Sequence, residues 1–356
     1  MGHVTSTTPL TALPSPRTPD PMTAPPLRWG VIAPGGIARA MATALNAVTQ
    51  QRIAAVASRS LDRAQAFATE FGADTAYGSY AALVADASVD VVYIASPHSE
   101  HREHALLALS AGKPVLMEKA FTRNAAEAQE VVDVARAGGL FLMEAMWARF
   151  LPHYDVVRQC VQGGLLGSID TVFADHGQPL YPDGPQRLSD PALAGGALLD
   201  LGIYPLSFAS MVLGGLASVT AVGELTTEGV DAQEAMTARG TNGGLGVLHA
   251  TMLARTAARA SVVGTAGRLD IDGSFYQPNP VRYTARDRSA GPVFEPASRK
   301  HGLAYEAAEV ARCITEGRTE SPLMPLDETV AIMATMDDIR RQLGVVYPGE
   351  HPGGPA

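Results

Sequence analysis

An apolar run at residues 28–33 ends in Pro34-Gly35-Gly36 and continues at once as a helix-period stretch over 37–48. A strand that turns through glycines straight into a helix leaves the first helical N–H groups unpaired, facing whatever lies above the turn. The same alternation continues along the chain. Further apolar runs at 53–58, 89–96, 115–118 and 140–144 are separated by helical stretches at 62–71, 100–111 and 124–137. Strands without polar alternation are buried on both faces, so these form a parallel sheet with helices on either side, an α/β unit over 27–147.

Beyond residue 147 the pattern changes. Strand-like runs at 169–176, 219–225, 235–241, 244–253, 260–263 and 268–271 follow one another through short glycine-containing links, with helical stretches at 197–213, 303–316 and 326–343. This predicts an α+β unit over 148–345 built on a large, mainly antiparallel open sheet. A chain of 356 residues accommodates two such units. Residues 1–26 hold seven prolines among serines and threonines and read as a disordered tail whose removal up to residue 21 leaves activity and melting temperature unchanged; residues 346–356 read as a second tail. No charged start leads into an apolar core of the kind a secretory signal has, and Met22 is an alternative start.

Composition excludes several partners. The net charge of −9 and the lack of a basic run argue against nucleic-acid and membrane-surface binding, and no uninterrupted apolar stretch of membrane-spanning length is present. The two cysteines, Cys160 and Cys313, have no paired spacing, which fits a reducing cytoplasm. His98, His101 and His104 stand three residues apart, a spacing that rotates the third away from the first on a helix, so no metal site is expected.

The turn from Ala33 through Gly35, Gly36 and Ile37 suits a pyrophosphate on a helix N-terminus, with Ala33 and Ala38 in place of the outer glycines of the dinucleotide fingerprint. About 20 positions on, where an NAD site carries an acid for the ribose hydroxyl, this chain has Ser58-Arg59, with Arg63 following. A carboxylate repels a 2′-phosphate and guanidiniums attract one, so NADP is the expected cofactor, with NAD as the weaker one.

The segments Ser96-Pro97-His98-Ser99-Glu100-His101 and Gly112-Lys113-Pro114-Val115-Leu116-Met117-Glu118-Lys119, together with Gly195-Gly196-Ala197-Leu198-Leu199-Asp200-Leu201-Gly202-Ile203-Tyr204, resemble the glucose-fructose oxidoreductase and inositol dehydrogenase superfamily. Tyr204 and the run Glu144-Ala145-Met146-Trp147-Ala148-Arg149-Phe150 are most similar to its dihydrodiol and NADP-linked D-xylose dehydrogenase branch. Ala120 stands where the superfamily has a proline, often cis, and Ala194 where it has a glycine. The resemblance implies a Rossmann domain, a cleft between two domains, and a nicotinamide held near Ser96, Pro97, His98, His101, Glu118 and Lys119. It also implies Trp147, Arg149 and His176 at the substrate.

Moving a hydride off a carbinol requires a proton acceptor at the oxygen. Tyr204, its pKa lowered by Lys119, is the expected acceptor, and Asp200, four residues earlier, is expected to bind a substrate hydroxyl or orient the pair. The predicted activity is NADP-dependent oxidation of a sugar or cyclic diol. A ketoreductase of a sugar derivative and a non-catalytic nucleotide-sensing regulator are the alternatives. A homodimer or homotetramer covering one face of the open sheet is expected.

Overall fold

The computed structural model describes residues 10–350. Its first half builds β1 (Arg28–Ile32), α1 (Gly36–Val48), β2 (Arg52–Ala57), α2 (Leu61–Phe71), β3 (Thr75–Tyr77), α3 (Tyr80–Val84), β4 (Val91–Ile94), α4 (His101–Ser110), β5 (Val115–Glu118), α5 (Ala125–Gly138) and β6 (Leu142–Ala145). All six strands are parallel, in the order β3-β2-β1-β4-β5-β6, with helices on both faces. The strand order reverses between β1 and β4, which opens a crevice at their carboxyl ends. Burial is the reason these runs are strands at all: every residue of β4 and β5 is buried, and each buried aliphatic side chain contributes about 1.5–3 kcal/mol. Gly30 lets β1 pass beneath Leu83 and Val89, each 2.9 Å from where its Cβ would stand. The short β3 and α3 escape sequence reasoning because their few residues show no clear period.

The second half adds α6 (Pro152–Gln162), β7 (Ile169–Gly177), α7 (Ile203–Leu213), β8 (Leu216–Leu225), β9 (Asp231–Gly240), β10 (Leu245–Thr251), β11 (Ala260–Gly264), β12 (Gly267–Ile271), β13 (Val281–Ala285), β14 (Ala290–Phe294), α8 (Leu303–Thr315) and α9 (Leu326–Leu343). Eight strands form one open sheet, ordered β14-β13-β12-β11-β7-β10-β9-β8, antiparallel except for the β7–β10 pair. Helix α7 lies on β7 and β10, and α9 on β8. Within Pro191–Leu213 an 18-residue window with mean hydropathy 1.5 is as long and apolar as a membrane span, yet 94% of that window is buried inside the protein. A helix apolar on all sides is a core helix here. The opposite face of the sheet is open and carries Phe173, Val222, Leu245 and Val247, all exposed.

The proline-rich tail is a correction. From residue 10 onward it is placed against the protein. Arg17 binds Asp155 through its backbone N–H at 2.7 Å and its guanidinium at 2.8 Å. Gln159 donates to the Ser15 carbonyl and Arg312 to the Asp20 carbonyl, both at 2.8 Å. Asp20 caps a short 3₁₀ turn at Pro21–Thr23, and Ala24 is buried against Ala308 and Ala311 of α8. Composition marked this segment as unable to form a core of its own, but preset proline φ angles lower the ordering cost and the rest of the chain supplies the partners. At the other end, Tyr347 is buried and donates to the Gly195 carbonyl, and Glu350 pairs with Arg340, so the expected tail does not begin at 346. Residues 1–9 and 351–356 of the two expected tails lie outside the described residues.

Candidate active site

A cavity of about 880 Å³ runs from the glycine turn, along the carboxyl ends of β1, β2, β4 and β5, to the start of α7. At one end lie Ala33, Gly35, Gly36 and Ile37, with Ser58, Arg59 and Arg63 beside them. The first intrahelical bond of α1 is Arg39 N to Gly35 O, which leaves the preceding amides of Gly36, Ile37 and Ala38 without a partner among the described residues, and a Cβ on Gly36 would meet nothing within 4 Å. This open cradle of unpaired donors beside two arginines fits a phosphorylated dinucleotide. Ala33 and Ala194 hold positive φ angles of 63° and 54°, so both alanines keep the left-handed backbone that glycine adopts more readily.

At the other end, groups from both sheets converge. Lys119, at the end of β5, donates from Nζ to the Asp200 carbonyl at 2.7 Å and lies 3.6 Å from the Asp200 carboxylate. Arg187 reaches the same carboxylate with both terminal nitrogens at 3.1 Å. Burial opposes the charge on Asp200, yet Lys119 and Arg187 hold its carboxyl well below the usual carboxylate range. Asp200 belongs to a π-helical turn, Leu198–Gly202, that leads into α7, whose second residue is Tyr204. The Tyr204 hydroxyl accepts a hydrogen bond from Trp147 Nε1 at 3.0 Å, and Lys119 Nζ lies 5.1 Å from its ring centroid.

The expected lowering of the Tyr204 pKa is overturned. Burial pushes this phenol well above its ordinary value, and the Trp147 bond offsets only part of that. The Lys119 ammonium is spent on the Asp200 backbone rather than on the phenol oxygen. Glu118 is also pushed up by burial, opposed by the Tyr93 hydroxyl and Lys119. His98 is driven down to about 4 by burial, so it is neutral at pH 7, with ring nitrogens 3.0 Å from the Ala194 carbonyl and 3.2 Å from that of Lys119. The site therefore holds a protonated phenol beside Lys119, able to hand a proton to an oxygen in the cavity and, once it has lost that proton, to take one back.

Over residues 27–146 the chain matches the model of an oxidoreductase family with an NAD-binding Rossmann fold, and over 154–270 that of the GFO/IDH/MocA C-terminal domain. It is 36% identical over 333 residues to a trans-1,2-dihydrobenzene-1,2-diol dehydrogenase of Bos taurus, covering 90% of this chain and 98% of the relative. The chain belongs to the GFO/IDH/MocA oxidoreductase family. A D-xylose 1-dehydrogenase (NADP(+)) of Hypocrea jecorina is likewise 36% identical over 365 residues, covering 90% of this chain and 93% of the relative. Among solved structures, a 3-ketoreductase from Actinomadura kijaniata in complex with NADP and TDP-benzene superposes with a TM-score of 0.78 at 29% identity, covering 90% of this chain and 98% of that one. An aldose-aldose oxidoreductase from Caulobacter crescentus superposes with a TM-score of 0.80 at 25% identity, covering 89% and 97%.

Three side chains expected at the ligands of this family member stand behind the cavity wall instead. His101 is fully buried, with its ring nitrogens against the carbonyls of Ser96, Ala120 and Phe121, and joins the loop after β4 to the loop after Lys119. The peptide between Lys119 and Ala120 is cis. Arg149 is 2% exposed and bound to Ser207 and Glu328, because its 3₁₀ turn points it into α7 and α9. His176 is 1% exposed, bonded to the Leu201 carbonyl, with Tyr204 and Tyr276 packed on its ring. Ser96, Pro97, His98, Glu118, Lys119, Trp147, Asp200 and Tyr204 do line the cavity. Sequence reasoning missed Arg187 and Tyr80 in the lining, and Tyr276 behind it. Arg187 sits in an irregular stretch without periodicity, where no local signal marks one arginine over another.

Proposed function

We propose that this family member is an NADP-dependent oxidoreductase that interconverts a carbinol and a carbonyl on a sugar-like or cyclic-diol substrate. The observation that carries the proposal is the convergence of Lys119, Asp200 and the Tyr204 hydroxyl at one end of a cavity whose other end is a glycine turn flanked by Arg59 and Arg63. The turn amides, Ser58, Arg59 and Arg63 would hold the nucleotide, and the bound nicotinamide supplies or accepts the hydride. Tyr204 moves the proton at the substrate oxygen, Lys119 holds positive charge beside it, and Asp200 keeps Lys119 and Arg187 in place. The named activities of the dehydrogenase and ketoreductase relatives support this class of substrate.

Burial keeps the Tyr204 phenol protonated at neutral pH, so carbonyl reduction starts with its proton in place, whereas alcohol oxidation first requires that proton to leave. The proposal extends to a homodimer or homotetramer formed over the open sheet face bearing Phe173, Val222, Leu245 and Val247, and to a reducing cytoplasm that suits two buried unpaired cysteines. The test is a panel of aldoses, inositols, trans-dihydrodiols and keto-sugars with NADP(H) and NAD(H), run on wild type, Tyr204→Phe and Lys119→Met. Tyr204→Phe lowers turnover about a hundredfold with NADP affinity intact, and the double variant loses much less than the two single losses combined. In wild type, oxidation climbs with pH without levelling below about pH 10 while reduction stays flat. Near-normal turnover of Tyr204→Phe overturns the assignment and makes Lys119 the proton carrier.

A further inference from the structure

Beneath the π-helical turn lie two carboxyl groups that the proposed mechanism does not use. Asp231 and Glu234 of β9 are 0% and 1% exposed, and three of their four carboxyl oxygens have no hydrogen-bond donor among the described residues. The fourth, on Asp231, accepts the backbone N–H of Leu198, the first residue of the turn. Arg340, whose charge acts on Asp231, is committed to Asp337 and Glu350. Two carboxylates cannot both stay charged so deeply buried without a counter-ion; the two carboxyls act on each other, and one proton held between them would serve both.

The pair also shapes the chain above it. A Cβ on Gly202 would stand 2.8 Å from Glu234 Oε1, and one on Gly196 would collide with the Asp231 carboxyl, so each glycine seats its backbone against one acid. Glu234 lies opposite Ala250, and Ala250 opposite His176, which places the three side chains in one row on the sheet face beneath the turn. Glu234 meets Gly202, while His176 bonds the Leu201 carbonyl and packs on Tyr204. The turn is thereby held at Leu198, Leu201 and Gly202, on either side of Asp200 and directly before Tyr204.

We propose that Glu234, sharing one proton with Asp231, is a positioning residue that fixes the π-helical turn and through it the Tyr204 hydroxyl and the Asp200 carbonyl that holds Lys119. Burial raises both carboxyl pKa values, that of Glu234 well above the usual range, in keeping with a neutral acid that donates to its neighbour. The inference rests on the proposed role of Tyr204 for its kinetic arm only.

The test compares Glu234→Gln, which keeps a donor toward Asp231, with Glu234→Met, which fills similar space without one. Each is made in wild type and in Tyr204→Phe. Glu234→Gln retains turnover within about threefold. Glu234→Met lowers kcat about tenfold or more per NADP-binding site, with NADP affinity within about twofold, and loses much less when Tyr204 is already Phe. Because Trp147 is bonded to the Tyr204 hydroxyl, Glu234→Met also shifts tryptophan emission relative to wild type, and Glu234→Gln does not. Unshifted emission in Glu234→Met, equal losses for Gln and Met, or a full additional loss on top of Tyr204→Phe each overturns the positioning role. Wild-type turnover of Tyr204→Phe instead overturns the proposed function, and the emission comparison then decides the positioning role alone.

Discussion

Replacing Arg59 with alanine separates the two nicotinamide nucleotides. Arg59 and Arg63 border the end of the cavity beside the glycine turn, and both are exposed. Neighbouring Arg39 and Arg52 are committed to Glu70 and Asp74, whereas Arg59 and Arg63 form no ion pair among the described residues. Their charge is thus available to a ligand phosphate. A charge-assisted hydrogen bond contributes roughly 1.5–3 kcal/mol. Water reaches this end of the cavity and screens the contact, so the lower part of that range applies, about 1.5–2 kcal/mol or a ten- to thirtyfold change in affinity. The assay is quenching of tryptophan fluorescence by NADP and by NAD, titrated on wild type, Arg59→Ala and Arg63→Ala at one fixed ionic strength. Arg59→Ala weakens NADP by that factor and NAD by less than about threefold; Arg63→Ala shows the same selectivity to a smaller degree. Added salt narrows the gap between nucleotides in wild type more than in Arg59→Ala. Equal losses for NADP and NAD refute the phosphate assignment.

Two further outcomes follow from the buried ionic groups. Deleting residues 1–21 strips the Arg17 partner from Asp155, whose side chain is 5% exposed, and lowers the melting midpoint by a few degrees; an unchanged midpoint in calorimetry contradicts the docking described above. Glu144, which accepts from Phe121 N–H and Thr329, is pushed up to about 7 by burial. Its folded pKa exceeds the unfolded value, so the native state holds the extra proton. Its contribution to stability is complete below about pH 4.5 and is lost as pH rises through 7, on the order of 3 kcal/mol in all. Glu144→Gln flattens the dependence of urea-unfolding stability on pH between about 5 and 8, and an unchanged slope rules this group out.

The parallel sheet was legible because each strand is a short apolar run and each helix has its own period; β1 and β5 fall within one residue of expectation. The end of the cavity proposed for the nucleotide phosphates is made of local turns, Ala33 to Ile37 and Ser58 to Arg63, so spacing along the chain is spacing in the lining. The end proposed to be catalytic is assembled across 81 residues between Lys119 and Asp200, and only a resemblance of whole motifs could bring its members together. Local pattern could not tell that Arg149 and His176 point into the core, since their burial is set by tertiary packing against Ser207 and Glu328 and against Tyr204 and Tyr276. Nor could it supply the sign of the Tyr204 shift, which depends on how deeply the ring is buried and on which atom of Asp200 the lysine meets. Helix α6 was missed although Pro152 marks its first turn and Tyr154, Val157 and Cys160 recur at helical spacing along its buried side.

The irregular chain between β7 and the π-helical turn sends Pro185 and Arg187 to the cavity, while Lys119, Trp147 and Tyr204 are anchored elsewhere. On the proposed function, this part of the lining comes from a separate stretch of chain from the groups that move the proton. Grafting residues 178–193 from one relative onto another would exchange this lining while leaving Lys119, Trp147 and Tyr204 in place. One joint limits that freedom: Arg187 shares the Asp200 carboxylate with Lys119, so every transplanted loop inherits the task of balancing that charge.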